Sequence, residues 1–271
     1  MLTHEEKWFF DLQGYLILPQ AVPPEDVRRM VELCDQWHAL PDSELPPPLR
    51  SYSDPDVKPT TARAINNVEY ADEVFQRLVL NPQIMRVVLA LTGNCPQLLD
   101  VALTRNTIQS DDIPLHGGFG GGLRNPANDY QAAEGQILAT FLNAGVSLVD
   151  VPPGTGFVCV PGSHKSNFAM PPAVTIHSEP PILHNVSVRA GDVILFTEAL
   201  CHGGRAWTQP YARRTAFVRY CTAYASWTPT HGPIEAHRDK LSEAVYELHQ
   251  KAGFQQRKRV VERLLAAMDE P

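Results

Sequence analysis

From residue 97 onward the chain is a succession of short apolar or alternating runs, at 97–108, 135–149, 156–160, 186–188, 192–197 and 214–223, each parted from the next by Gly, Pro, Asn and Asp. Runs of this length, punctuated this way, read as strands joined by tight turns. Their number points to a sandwich, a barrel or a jelly roll rather than to alternating βαβ units.

The flanks have a different texture. Residues 3–11 form a short helical pattern, and GYLILP at 14–19 is an apolar run of strand type. In EDVRRMVELCDQWHAL, Val27, Met30, Val31, Leu33, Cys34 and Trp37 recur at helical spacing behind Pro24, where a helix tolerates proline. Residues 40–62, rich in Pro, Ser and Asp, read as an irregular crossing, and a second helical pattern over about 72–91 is interrupted near Asn81-Pro82. The tail at 232–267 returns to helix through Leu241, Ala244, Val245 and Leu248, then Val260, Val261, Leu264 and Leu265. The expected organisation is one domain over 1–271: helical cladding over 1–95, a β-rich core over about 96–225 and a helical extension over 226–271.

A formal net charge of −7 gives a polyanion no help, so a nucleic-acid role is not expected; the basic clusters at 205–219 and 251–263 read as solvated faces. No apolar stretch approaches the roughly 20 residues a membrane span needs, and MLTHEEKWFF lacks the basic start of a secretory leader. A cytoplasmic protein with no membrane partner is expected. Cys34, Cys95, Cys159, Cys201 and Cys221 are odd in number and scattered, which suits reduced thiols.

Three features of the middle region suit one chemistry. TRNTIQSDDIPLHGGFGGG places His116 after a polar turn, VRAGDVILFTEALCHGG places His202 at the end of an apolar strand, and AWTQPYARRTAFVRY sets Arg213 and Arg214 at the start of another. Imidazole suits ferrous iron, and a keto-acid co-substrate needs a forked cation for its distal carboxylate, which arginine provides. From the residues alone a second reading stands beside this one: the two histidines cap turns and Arg213 makes a surface ion pair.

The order of an N-terminal helix and GYLILP, a His-containing turn, GFVCVPGSHKSNF, then AGDVILFTEALCHGG with an arginine eleven residues after the second histidine resembles the phytanoyl-CoA dioxygenase family of Fe(II)/2-oxoglutarate enzymes over roughly residues 5–225. The resemblance implies a mainly β chain built on a double-stranded β-helix, a jelly roll, with flanking N- and C-terminal helices. It implies His116 and His202 as iron ligands, Arg213 as the partner of 2-oxoglutarate, and O2 as co-substrate. Arg214 should point the opposite way along the strand. Thr104, Asn106 and Thr140 lie on runs expected to line the barrel and touch the co-substrate. Gly162-Ser163-His164 matches the family's turn near the entrance, read either as a substrate contact or as a structural turn with His164 exposed. The long stretch at 118–135 reads as a lid, with Arg124, Asn128 and Tyr130 as polar handles. Trp207 either walls the pocket or packs under the sheet.

One triplet departs from the family pattern. The motif is His-x-Asp, and here it is His116-Gly117-Gly118. Either a carboxylate from elsewhere completes the site, with Glu198 preferred over Asp111, Asp112 and Asp150; or chloride takes the position and the chain is a 2-oxoglutarate-dependent halogenase; or water fills it, in a two-ligand oxygenase or an inactive jelly-roll binding protein. The expected function is a Fe(II)/2-oxoglutarate-dependent oxygenase acting on a small polar molecule by hydroxylation or oxidative dealkylation, releasing succinate and CO2. A metal hydrolase or isomerase on a similar roll would have no need of Arg213.

Overall fold

The computed structural model describes residues 2–52, 63–118, 128–225, 233–254 and 256–269. Helix α1 (His4–Gln13) opens on a capping box between Thr3 and Glu6 and ends at Gly14. Strand β1 (Tyr15–Leu18) leads into α2 (Pro24–His38), then β2 (Arg50–Tyr52) and β3 (Arg63–Asn66). The long helical pattern over 72–91 is two helices, α3 (Glu73–Val79) and α4 (Pro82–Leu91). They part where the Asn81 side chain caps the N–H groups of Gln83 and Ile84 ahead of a proline at the first helical turn.

The β region follows with β4 (Pro96–Asn106), β5 (Ile113–His116), β6 (Tyr130–Ala133), β7 (Gln136–Ala139), β8 (Phe141–Ser147), β9 (Gly156–Cys159), β10 (His184–Asn185), β11 (Val193–Thr197), β12 (His202–Arg205) and β13 (Arg213–Thr222). Helices α5 (Glu243–His249) and α6 (Arg259–Asp269) close the described chain. Seven strands form one sheet in the order β1-β11-β8-β13-β4-β3-β2, four form a second in the order β10-β9-β12-β5, and β6 and β7 make a separate hairpin. Every strand pair in the two larger sheets is antiparallel.

Alternation along the strands divides the seven-stranded sheet into two faces. On β13, Ala216, Val218 and Tyr220 join the large apolar cluster that includes Met30, Trp37, Phe75 and Ile84 of the helices. The residues between them, Arg213, Thr215, Phe217 and Arg219, face the other way. On β11, Val193 and Leu195 belong to the helix-side cluster, whereas Ile194 and Phe196 pack with Phe157 of β9 and Trp207 in a second one. Helices thus cover one face, and the four-stranded sheet packs toward the other.

The architecture is therefore a mixed one, an antiparallel β core with flanking helices. The expected boundary between helical cladding and β core needs correction, because β1, β2 and β3 all join the seven-stranded sheet. Four-residue runs such as YLIL carry too few alternations to announce a sheet member on their own, and β1 earns its place by pairing with β11. All five cysteines are buried and free. Among the described residues no single helix is long and apolar enough to cross a membrane.

Candidate metal centre and co-substrate cavity

Strand β11 ends at Thr197 in the seven-stranded sheet, and the chain re-enters at His202 on β12 in the four-stranded sheet. The connection at 198–201 is tight: the Leu200 N–H donates to the Thr197 carbonyl at 2.9 Å. Glu198 therefore sits on a turn between the sheets, and His202 opens a new strand rather than closing an apolar one. His202 lies directly across from His116, the last residue of β5. One donor atom from each of His116, Glu198 and His202 lies within 4.8 Å of the others. Two imidazoles and a carboxylate on one face are the donor set that suits ferrous iron.

The imidazoles are oriented for metal. Nδ1 of His116 lies 2.8 Å from the Pro114 carbonyl, and Nδ1 of His202 lies 2.8 Å from the Leu200 carbonyl. A carbonyl only accepts, so each Nδ1 carries the hydrogen and each Nε2 presents a lone pair. Burial, with the nearby His116 adding to it, pushes His202 down to about 3, which keeps its ring neutral at ordinary pH. Phe196 and Phe157 flank that ring, with centroids 4.6 and 5.9 Å away.

Glu198 is held through backbone and side chain. Its N–H donates to the Phe141 carbonyl at 3.1 Å, and its carbonyl accepts from the Gly118 N–H at 3.3 Å and the Asn128 amide at 3.2 Å. Its Oε2 accepts from the Asn143 amide at 2.7 Å. Burial raises the Glu198 carboxyl above the usual carboxylate range, opposed by the Asn143 hydrogen bond and by His116 and Arg219. The glycines of the departed motif make room for this turn. Gly118 has φ +69°, and a Cβ there would lie 3.3 Å from the Ala199 carbonyl oxygen and from Cβ of Cys201. Asp112 instead accepts from the Ala206 N–H and meets His177, and Asp150 accepts from the Ala190 N–H.

The three donors open on a cavity of about 380 Å³ between the sheets, whose lining includes Thr104, Asn106, Asn143, Arg213, Phe217 and Arg219. Arg213 lines the cavity half-buried, its Nε is buried with no hydrogen-bond partner, and no carboxylate among the described residues pairs with it. That burial pushes the guanidinium down to about 10. A half-buried guanidinium with an unpartnered Nε and no carboxylate beside it fits the far carboxylate of a keto-diacid. Arg214 points the opposite way into a two-pronged pair with Asp35 at 2.8 and 2.7 Å. Arg219, six residues beyond Arg213 and so on its face of the strand, is locked on Asp100 at 2.6 and 2.8 Å.

The other sequence-predicted residues divide. Thr104 and Asn106 line the cavity. Thr140 does not; its hydroxyl bonds the Asp129 backbone beside the β6–β7 hairpin. Asn128 touches the site through the Glu198 carbonyl, and most of the expected lid, residues 119–127, lies outside the described residues. Tyr130 donates to Asp11 at 2.6 Å, and its ring meets His164 edge-on. His164 is buried, not exposed, with Nε2 3.1 Å from the Asp11 carbonyl. Trp207 packs between the sheets, its indole N–H on the Tyr211 carbonyl. Arg124 lies outside the described residues. Sequence reasoning missed Asn143, Asp100 and Arg219. The available signals were a lone amide in the middle of the otherwise apolar FLNAGV and the even spacing from Arg213 to Arg219.

Residues 10–215 match the family model of phytanoyl-CoA dioxygenase (PhyH). The chain belongs to this family. HygX from Streptomyces hygroscopicus, solved with nickel and 2-oxoglutarate bound, is 26% identical over 83% of this chain and 89% of that one, with a TM-score of 0.70. The same protein with iron bound gives 24% identity over 83% and 88%, and a TM-score of 0.67. EctD from S. alaskensis with bound Fe shares the fold at 18% identity, 82% and 77% coverage and a TM-score of 0.60. No curated protein sequence matches. With the family, the His116/Glu198/His202 donor set and these relatives together, the chain is a Fe(II)/2-oxoglutarate-dependent dioxygenase.

Proposed function

We propose that this dioxygenase hydroxylates, or oxidatively dealkylates, a small polar molecule, and that its two larger sheets are the halves of a double-stranded β-helix. The observation that carries the reading is the joint placement of the three donors and the unpaired Arg213 around one cavity. Iron and 2-oxoglutarate, bound together, supply the oxidising power to break an unactivated C–H bond, with 2-oxoglutarate leaving as succinate and CO2.

The protein's part is placement. Arg213 would hold the distal carboxylate of the co-substrate through its guanidinium N–H donors, in a partly enclosed setting that strengthens such a pair. The Pro114 and Leu200 carbonyls hold both imidazoles neutral and aimed. Phe157 and Phe196 keep water from the His202 side of the site. Toward Asn143 and Arg219 the lining mixes polar groups with Phe141 and Phe217, which suits a molecule with both hydroxyl-like and hydrocarbon parts. HygX, solved also with hygromycin B bound, is a relative that takes a small molecule.

Glu198 favours oxygen transfer over halogen transfer, because with its carboxylate beside the two histidines a protein anion is at hand for the metal where a halogenase would leave room for chloride. The test is turnover of a panel of small polar compounds with Fe(II), 2-oxoglutarate and oxygen in chloride-containing buffer. Succinate formed in step with a product one oxygen atom heavier, or shortened by an alkyl group released as an aldehyde, is the expected result. A chlorinated product would overturn it.

A further inference from the structure

Strand β8 is buried along its whole length, yet its third residue is an amide. Asn143 pairs with Arg219 of β13, and Arg219 pairs in turn with Asp100 of β4, so one polar rung crosses three neighbouring strands. Arg219 and Asp100 satisfy each other with two hydrogen bonds. The third member of the rung, Asn143, donates along the same edge of the cavity to Glu198 Oε2 at 2.7 Å. Asn143 is also the partner of Phe196 on β11, two residues before Glu198, so its backbone is fixed relative to the turn that it serves.

A reason for this arrangement follows from the departed motif. A carboxylate in a His-x-Asp triplet is short and stands beside the first histidine. Glu198 has one more methylene and one more free torsion, and it projects from a turn. Ordering a longer side chain on binding costs free energy unless the protein has ordered it beforehand. We infer that Asn143 is a positioning residue for the metal centre: its amide occupies one carboxylate oxygen of Glu198 and leaves the other for the metal, so the displaced ligand binds as a pre-oriented single-oxygen donor. The inference rests on the reading of His116, Glu198 and His202 as the metal site.

Calorimetric titration of the full-length protein with Ni(II), an oxygen-stable probe, tests it in four forms: wild type, Asn143→Leu, Glu198→Ala and the double variant. Leucine keeps the branched shape of asparagine and removes the donor. The expected result is a Ni(II) affinity weakened about 10–100-fold in Asn143→Leu, the usual consequence of losing the partner of a metal ligand. The melting temperature of the metal-free protein should stay close to that of wild type. In the Glu198→Ala background the same substitution should have no further effect, since the residue then has nothing to position. Wild-type affinity in Asn143→Leu, or an equal loss with and without Glu198, would overturn the proposal while leaving the metal site standing. Wild-type Ni(II) affinity in Glu198→Ala would overturn the metal-site reading and the proposal with it.

Discussion

A guanidinium shut away from water with no anion beside it raises the energy of the folded chain, because the solvation it gave up is not replaced. Arg213, half-buried on the cavity wall with its Nε enclosed and unpartnered, bears part of that cost, and an anion in the cavity would relieve it. Arg213→Met should therefore stabilise the cofactor-free protein modestly, by up to about 1 kcal/mol, and raise its melting temperature. The same variant should lose 2-oxoglutarate binding in calorimetry. A variant less stable than wild type that still binds the keto-acid would contradict the assignment. At this scale the sequence was informative but incomplete. The choice of Arg213 over Arg214 follows from alternation along one strand and agrees with the Arg214–Asp35 pair. Glu198 was one of four carboxylate candidates, and spacing could not single it out, since the turn at 198–201 that brings it to the histidines packs its backbone against Gly117 and Gly118.

Among the elements, the junction of α1, β1 and the PGSHK turn sets how the N-terminal helix docks. The His164 ring lies so close that a Cβ on Gly14 would fall 2.6 Å from its Nδ1, which makes the left-handed glycine at the end of α1 a packing requirement as well as a cap. Tyr130 and Lys165 both bind the Asp11 carboxylate, tying the hairpin and the turn to the same helix. Burial holds His164 down at about 4, against an ordinary value near 6.5. Between those values the unfolded chain binds a proton that the folded chain refuses, so stability falls as pH drops from about 6.5 toward 4, by up to about 1.4 kcal/mol per unit. His164→Gln should flatten that slope in denaturant midpoints measured on the metal-free protein from pH 4 to 7. An unchanged slope would show that the ring titrates freely. The family resemblance placed this turn near the site entrance, and Ser163 does accept from the Cys201 N–H beside His202; the expected exposure of His164 is what fails, because a histidine after Gly-Ser looks solvated until α1 is packed on it.

Across the whole molecule, the β region was legible because β4, β8, β11 and β13 are long or strongly apolar runs, and these strands make the centre of the seven-stranded sheet. What did not show were the short members: β5, β6, β10 and β12 carry two to four residues each, and His116 and His202 stand on two of them. The metal centre is thus formed by the least visible strands, positioned against the most visible ones, and only the pairing of β5 with β12 brings the two imidazoles together. The central claim is that His116, Glu198 and His202 hold iron while Arg213 holds 2-oxoglutarate beside it. Anaerobic titration with Fe(II) and 2-oxoglutarate, followed by the metal-to-ligand charge-transfer absorption of the chelate, tests this most directly. The account predicts a saturable band in the wild type that is lost or strongly weakened in His202→Ala, Glu198→Ala and Arg213→Met. A wild type with no band, or a Glu198→Ala variant with an undiminished one, would contradict it.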